Sequence, residues 1–247
     1  MKELLIPGVK LFTICLAAAL LLGLINAVTK GPIADAEKQT VEKALKEIKF
    51  DGERGDYLVA PPVELSKEIY EKTVLANTTD TVSKDTIQKL YTGKDENTVM
   101  LTTTLTAADI ISAAAVFTAI KEYKPKGAVR AMFPLKKGDE ISGFILEIWG
   151  VGYGGDIKMF GVYDKDGTVR DALILKDAET PGLGKKARDK GYMDKYIGTK
   201  TRTVPVIKAM LDNPDAVTGA TITFTGVGDA LRNGSRYISM FGENNEN

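Results

Sequence analysis

The sequence predicts an α+β protein in which an N-terminal transmembrane helix precedes one domain, a mainly antiparallel sheet flanked by helices. Three observations predict it. Residues 9–28 read VKLFTICLAAALLLGLINAV, a run of 20 whose single charge is Lys10. Residues 128–135, 141–149, 157–163 and 168–175 are short β-branched or aromatic runs separated by Gly, Lys and Asp, the pattern of successive strands. Helix-like apolar spacing recurs on both sides of that block.

Taken in order, the apolar run is long enough to cross a hydrocarbon layer of about 30 Å at 1.5 Å per residue. A cleavable signal peptide competes with an anchor, but the run exceeds a typical signal core and Ile25-Asn26-Ala27 is a weak small-x-small cleavage site. Ile14 before Cys15 is too bulky for a lipobox. Lys2 and Lys10 precede the span, while Lys30 and Lys38 follow it among Asp35 and Glu37, so the positive-inside count barely favours a cytoplasmic N-terminus. Pro32 suits the first turn of a juxtamembrane helix, with Ile33, Val41, Leu45 and Ile48 on one face. The expected divisions are 1–8 as the cytoplasmic end, 9–28 as the span, 29–50 as the juxtamembrane helix, 51–242 as the extracytoplasmic domain and 243–247 as a polar tail.

Within the domain, Gly52, Gly55, Pro61 and Pro62 make residues 51–62 a loop. Residues 63–100 are the least informative, with a short helix expected at 83–91. Thr106 and Asp109 read as a capping box, opening a helix with Ile110, Ile111, Ala114, Phe117 and Ile120 inward and an end near Tyr123. Asp166-Gly167 suits a hairpin turn between the last two strand runs. Residues 204–210 would add another strand. Residues 221–241 read as a closing helix with Val227, Leu231 and Tyr237 inward, although Gly226, Gly228 and Asn233-Gly234 weaken it.

Composition excludes several chemistries. With 33 basic and 33 acidic residues, the chain lacks the positive excess that drives nucleic-acid binding. It has no histidine and one cysteine, which removes Ser-His-Asp and Cys-His catalysis, His-ligated haem, most zinc enzymes, an internal disulfide and a Cys-ligated cluster. Redox or transfer chemistry would need a cofactor held by other side chains.

Most apparent motifs dissolve on inspection. Gly150, Gly152 and Gly155 satisfy G-x-G-x-x-G after a strand, but a strand pattern follows where a dinucleotide site needs a helix. They read instead as a glycine-rich hairpin, or as a loop kept small so that a flat ligand can lie against its backbone. Asp164-Lys165-Asp166-Gly167 lacks the distal glutamate of a calcium loop. Gly184-Lys185-Lys186 lacks the upstream glycine of a phosphate loop.

Two segments are harder to explain as plain turns. Glu179-Thr180-Pro181-Gly182-Leu183-Gly184 combines a fixed φ, two permissive glycines and an apolar side chain that a turn does not require. Asp215-Ala216-Val217-Thr218-Gly219-Ala220-Thr221 stands at the start of the last helix, where free N–H donors and the helix dipole favour a phosphate. A plain N-cap by Asp215 or Thr218 accounts for it as well.

The D-x-x-T-G-A-T run at 215–221, the E-T-P-G-L-G run at 179–184, the Y-G-G-x-I run at 153–157 and the single N-terminal anchor together resemble the FMN-binding family. Its membrane-anchored members serve as the G subunit of the Rnf electron transport complex and as the C subunit of the sodium-pumping NADH:quinone reductase. The resemblance covers the anchor and residues 142–236, whereas residues 63–126 match no motif of the family. It implies FMN joined through its phosphate to Thr221, with Asp215, Thr218, Gly219 and Ala220 around the attachment. Glu179, Thr180, Gly182, Leu183 and Gly184 would lie on one side of the flavin, and Tyr153, Gly154 and Gly155 on the other. It further implies a flavin transferase using FAD and a divalent metal on the outer side of the membrane, and partner subunits that carry iron–sulfur clusters and flavins. The chain would then sit in the cell membrane with a single pass, its main domain outside the cytoplasm. A membrane-anchored binding module without flavin, in which Thr218 and Thr221 only cap a helix, and an independent flavin reductase are the readings from other classes.

Overall fold

A computed structural model describes residues 2–102, 105–121, 123–189, 191–212 and 219–241. The chain divides into two units, residues 1–47 and 48–247. The first is a single helix, α1 (Lys2–Glu47), which runs through Pro7 and Pro32. Pro32 therefore does not open a second helix, and the expected border at residue 29 lies inside a continuous one. Loss of one backbone donor at Pro32 is tolerated here within a long helix. The helix has a mean hydropathy of 2.4 over its most apolar window, long and apolar enough to cross a membrane. Val9, Leu11, Phe12, Leu20, Leu22 and Leu24 are exposed along it, as a lipid-facing surface requires.

The second unit begins with two short edge strands, β1 (Glu53–Arg54) and β2 (Leu58–Val59), then β3 (Glu64–Ser66). One turn of helix, α2 (Lys67–Ile69), passes into a π-helical turn, Tyr70–Leu75. Next come α3 (Thr81–Leu90), β4 (Tyr91–Gly93), β5 (Thr98–Leu101) and α4 (Ala107–Ala119). Four long strands follow: β6 (Val129–Lys137), β7 (Glu140–Val151), β8 (Asp156–Asp164) and β9 (Val169–Lys176). The final helix is α5 (Thr221–Ser239). All four expected strand runs and both main domain helices are present. The capping box is too: the Asp109 backbone N–H donates to Thr106 Oγ1 (3.3 Å), and the Thr106 N–H to Asp109 Oδ2 (2.8 Å).

The main sheet is antiparallel in the order β1-β6-β7-β8-β9, with β2 also on β6. A second antiparallel sheet, β3-β5-β4, is built from the stretch that carries no legible pattern. It joins the same core through Leu65, Val99 and Leu101, together with Ile110 and Phe117 of α4. Two phenols tie it down, Tyr91 donating to the Pro62 carbonyl (2.7 Å) and Tyr237 of α5 to the Pro61 carbonyl (3.0 Å). Both are fully or almost fully buried, and desolvation pushes their pKa values well above the ordinary tyrosine range.

Residues 204–210 form no strand. Pro205 removes a ladder donor at its second residue, and the Val206 carbonyl accepts instead from Thr225 Oγ1 of α5 (2.9 Å). Asp166-Gly167 does make the turn between β8 and β9, with Gly167 at φ +82°. The Thr168 N–H donates to Asp166 Oδ1 (2.9 Å) and the Gly167 N–H to the Asp164 carbonyl (3.0 Å).

Helix α5 lies on the sheet with Phe224, Val227, Leu231 and Ile238 in the core. The glycines that weaken it as an isolated helix are what let it approach. A Cβ on Gly150 of β7 would overlap the Gly226 carbonyl oxygen, and one on Gly226 would overlap the Val151 carbonyl. Gly228 is pressed against the Pro205 carbonyl in the same way. Gly226→Ala should therefore push helix from strand and lower stability by about 1–3 kcal/mol, the usual cost of overpacking. A thermal or urea melt of the detergent-purified chain measures it, and an unchanged midpoint would mean that the two backbones can part freely.

Candidate functional site

The first turn of α5 is the natural starting point, because its N–H groups have no intrahelical acceptor. Gly219 (φ +80°) turns the chain into it, and the cap position falls on Ala220, whose side chain cannot accept a hydrogen bond. No described side chain caps this helix. Asp215 and Thr218, the expected capping or attachment-flanking residues, lie outside the described residues. Thr221 is exposed at the first helical position, while Thr223 points inward and is 1% exposed. An acceptor hydroxyl thus stands in water beside uncapped donors at the positive end of a helix of 19 residues.

Thr223 leads to the second motif. Its hydroxyl donates to Glu179 Oε2, and the other carboxylate oxygen, Oε1, accepts the Gly154 backbone N–H (2.9 Å). Glu179 is 4% exposed. Its carboxylate occupies space that side chains would otherwise fill, since a Cβ on Gly152 would overlap Oε1 and one on Gly184 would overlap Oε2. A Cβ on Gly154 would meet the Ala178 carbonyl. The smallness of this hairpin is therefore used first by the protein's own backbone and by Glu179.

From Glu179 the loop turns outward. The Leu183 and Lys185 N–H groups both donate to the Thr180 carbonyl (3.2 Å each), and Gly182 takes φ +76°. The Thr180 side chain is exposed, and its hydroxyl has no hydrogen-bond partner among the described residues. Leu183 is 46% exposed and leans toward the start of α5, its Cδ2 lying 3.0 Å from where a Gly219 side chain would begin. Tyr153, at the tip of the β7–β8 hairpin, is 73% exposed. Gly155, at φ +128°, closes that hairpin by accepting the Gly152 N–H (2.8 Å). Beneath these loops Tyr196 stacks on Phe224 (5.8 Å) and donates to its carbonyl (3.3 Å). Burial raises the neighbouring Tyr192 phenol to about 12, with Tyr196 pulling it down and Glu179 adding a push upward.

A cavity of about 340 Å³ runs along the outer side of α5 from Thr221, between Ile222, Thr225 and Asp229 on the helix and Trp149 and Val151 on β7. Its size is that of a small-molecule site. Trp149 is held by its indole N–H to Glu147 Oε1 (3.2 Å), with the Arg130 guanidinium 5.4 Å and the Lys158 ammonium 5.9 Å from the ring. Lys158 also pairs with Glu147 (3.2 Å). Sequence reasoning does not single out Trp149, Thr225 or Asp229. The lone tryptophan directly ahead of the glycine hairpin is the available signal for the first, and the four-residue spacing Thr221-Thr225-Asp229 for the others.

Residues distant in sequence, 152–155, 179–184 and 219–223, are thus linked through Glu179 and Thr223, two residues beyond the exposed Thr221, while none of 152–155 or 179–184 lines the cavity beside Thr221. Residues 152–235 match the family described as the FMN-binding domain. The chain contains an FMN-binding domain. The match begins at the glycine hairpin and ends within α5, so it encloses all three motifs. The chain is also similar to two curated relatives. One is the G subunit of the proton-translocating ferredoxin:NAD(+) oxidoreductase complex of Clostridium ljungdahlii, 29% identical over 111 residues, which are 44% of this chain and 60% of the relative. The other is the G subunit of the ion-translocating oxidoreductase complex of Cereibacter sphaeroides, 39% identical over 61 residues, 25% of this chain and 27% of that protein. The chain therefore spans 60% of the first relative's length and about a quarter of the second's.

The described residues fit FMN. The helix end, where no described side chain caps the donors, suits its phosphate, and the cavity beside Thr221, lined by Val151 and Trp149, suits an aromatic ring system. No described group of three or more His, Cys, Asp or Glu side chains could hold a metal ion.

Proposed function

We propose that this chain is a membrane-anchored flavoprotein subunit of an Rnf-type ferredoxin:NAD oxidoreductase, relaying electrons in a complex that couples their flow to Na+ or H+ translocation. The observation that carries this reading is the matched FMN-binding domain, within which Glu179 and Thr223 link three motifs two residues from an exposed Thr221 at a helix start. Both relatives are G subunits of oxidoreductase complexes of this kind, which supports the Rnf assignment over the C subunit of a sodium-pumping NADH:quinone reductase. Partners would be the iron–sulfur and flavin subunits of the complex.

The flavin would be held covalently, its phosphate esterified to Thr221 Oγ1 by a flavin transferase. Bound FMN supplies one- and two-electron transfer, which a chain without histidine and with one cysteine cannot provide by itself. The first-turn N–H groups of α5 would neutralise the phosphate, and Gly219 and Ala220 would leave room for it. Thr180 would donate to a ring heteroatom, Leu183 would exclude water from one face, and Tyr153 to Gly155 would border the other. None of these side chains adds a charge to the ring, so its potential would be tuned by dipoles and solvent exclusion.

Attachment is read directly. Co-produced with the transferase, the denatured wild-type chain should fluoresce on a gel and gain the mass of FMN, and Thr221→Ala should lose both signals. Fluorescence persisting in that variant would overturn the assignment of Thr221.

Topology follows from the same reading, because the transferase works outside the cytoplasm. Residues 9–28 should remain in the mature protein, and protease added to spheroplasts should remove the domain. Protection until lysis would reverse the orientation, and a mature N-terminus near Val28 would make the segment a cleaved signal.

For the ring-side loop, Thr180→Val should lower the flavin potential while labelling at Thr221 continues, since a lost donor disfavours the more negative reduced ring. One hydrogen bond of roughly 0.5–1.5 kcal/mol corresponds to about 10–30 mV for a two-electron couple. A redox titration giving an unchanged potential in both Thr180→Val and Leu183→Ala would place this loop away from the ring.

A further inference from the structure

We infer that Glu179 is a positioning residue for the flavin: it does not touch the ring but clamps the glycine hairpin, the 180–184 loop and the first turn of α5 into one rigid frame. The inference rests on the reading of Thr221 as the attachment point. Both carboxylate oxygens are engaged within the protein, Oε1 by the Gly154 N–H and Oε2 by the Thr223 hydroxyl, and the side chain is 4% exposed. A group so enclosed is committed to the protein's own donors. The niche is built for it from both sides, because Gly152 and Gly184 each lack the side chain that would collide with one of its oxygens.

The consequence is geometric. Thr223 is two residues beyond Thr221, so the Glu179–Thr223 bond fixes how the first turn of α5 is rotated and keeps Thr221 facing outward. Thr180, directly after Glu179, starts the outward loop that carries Leu183 to Gly219. One carboxylate therefore sets the distance between the tether and the loop proposed to cover the ring. Any flavin attached at Thr221 inherits its surroundings from that clamp.

The role separates from attachment, which needs only the Thr221 hydroxyl and its local sequence. Glu179→Gln should preserve the clamp, since its amide oxygen accepts the Gly154 N–H and its amide N–H donates to Thr223 Oγ1. Glu179→Ala should break it. Gly184→Ala should displace the carboxylate from the opposite side, and Thr223→Val removes one of the two bonds with little change in volume.

The test uses the full chain in detergent, co-produced with the flavin transferase. Three signals are read: in-gel flavin fluorescence for attachment, iodide quenching and visible circular dichroism of the bound flavin for its surroundings, and a thermal melt for the fold. Glu179→Ala, Gly184→Ala and Thr223→Val should all stay labelled at Thr221. Their quenching constants should rise, by about fivefold for Thr223→Val, the population change one lost buried hydrogen bond produces, and by more for Glu179→Ala, which loses both bonds, and their flavin dichroism should weaken. Glu179→Gln should match the wild type. In the Glu179→Ala background, Gly184→Ala should add less than it does alone, because Glu179 Oε2 is gone while the Thr223 hydroxyl it also meets remains.

Should Glu179→Ala fail to fold, Thr223→Val and Gly184→Ala carry the same test. Labelled, folded variants whose quenching and dichroism equal the wild type would overturn the inference and leave Glu179 as an ordinary core contact. Glu179→Gln behaving like Glu179→Ala would overturn it too, by showing that hydrogen-bond geometry is not what matters. An unlabelled wild type is a different failure, one that removes the Thr221 reading first.

Discussion

Helix α5 sits backbone against backbone on β7, with nothing but hydrogen on Gly150 and Gly226 between them, and the rest of the site depends on that closeness. A helix held this near to a strand has little freedom to roll, since the core residues Phe224, Val227 and Leu231 key it from the same side. Its azimuth then decides that Thr223 is inside and Thr221 outside. Tyr163 reinforces the placement at the far end, where its buried hydroxyl donates to the Leu231 carbonyl (3.1 Å) and its ring fills the space that a Gly234 side chain would take. The cost is intrinsic helix propensity, about 1 kcal/mol per glycine, repaid by contacts that no side chain-bearing helix could make.

This explains what the sequence could and could not reveal. The four long strands and α4 are legible because a short β-branched or aromatic run between turn residues and a reciprocal cap are local signals, complete within a few residues. The anchor is legible for the same reason. The glycines of α5 count against the helix in a sequence reading, since propensity is a local quantity and the partner backbone of β7 lies about 75 residues earlier in the chain. The β3-β5-β4 sheet is not legible because its strands are three or four residues long and get their stability from the shared core rather than from any pattern of their own.

The site is legible as motifs but not as an arrangement. Thr221, Leu183 and the glycine hairpin all stand out, yet their spacing along the chain says nothing of which glycine makes room for a ligand and which for the protein itself. The structure divides them. Gly152, Gly154 and Gly184 accommodate internal atoms, while the space over Gly219 is taken by Leu183. Glu179 reads from sequence as a polar residue at a loop edge, and only its surroundings make it a buried acceptor between two donors. Trp149 and Asp229 are harder to read, because a lone tryptophan and a four-residue spacing do not by themselves say that a strand end and a helix side form a groove.

Among the described residues no side chain caps the start of α5, and such a cap contributes about 1 kcal/mol where it is made. In α5 the position that could carry one is Ala220, flanked by a glycine at φ +80°. Ala220 places no acceptor side chain on the N-terminal donors, which forgoes that contribution, while Leu183 lies over Gly219. An anionic group bound there would recover that loss twice, by satisfying the donors and by meeting the helix dipole. A covalent tether on Thr221 would make the recovery permanent, because dissociation is no longer available to the bound group. The neutral, histidine-free composition is consistent with the same division of labour: the protein supplies donors, apolar cover and a rigid frame, and the cofactor alone would change oxidation state.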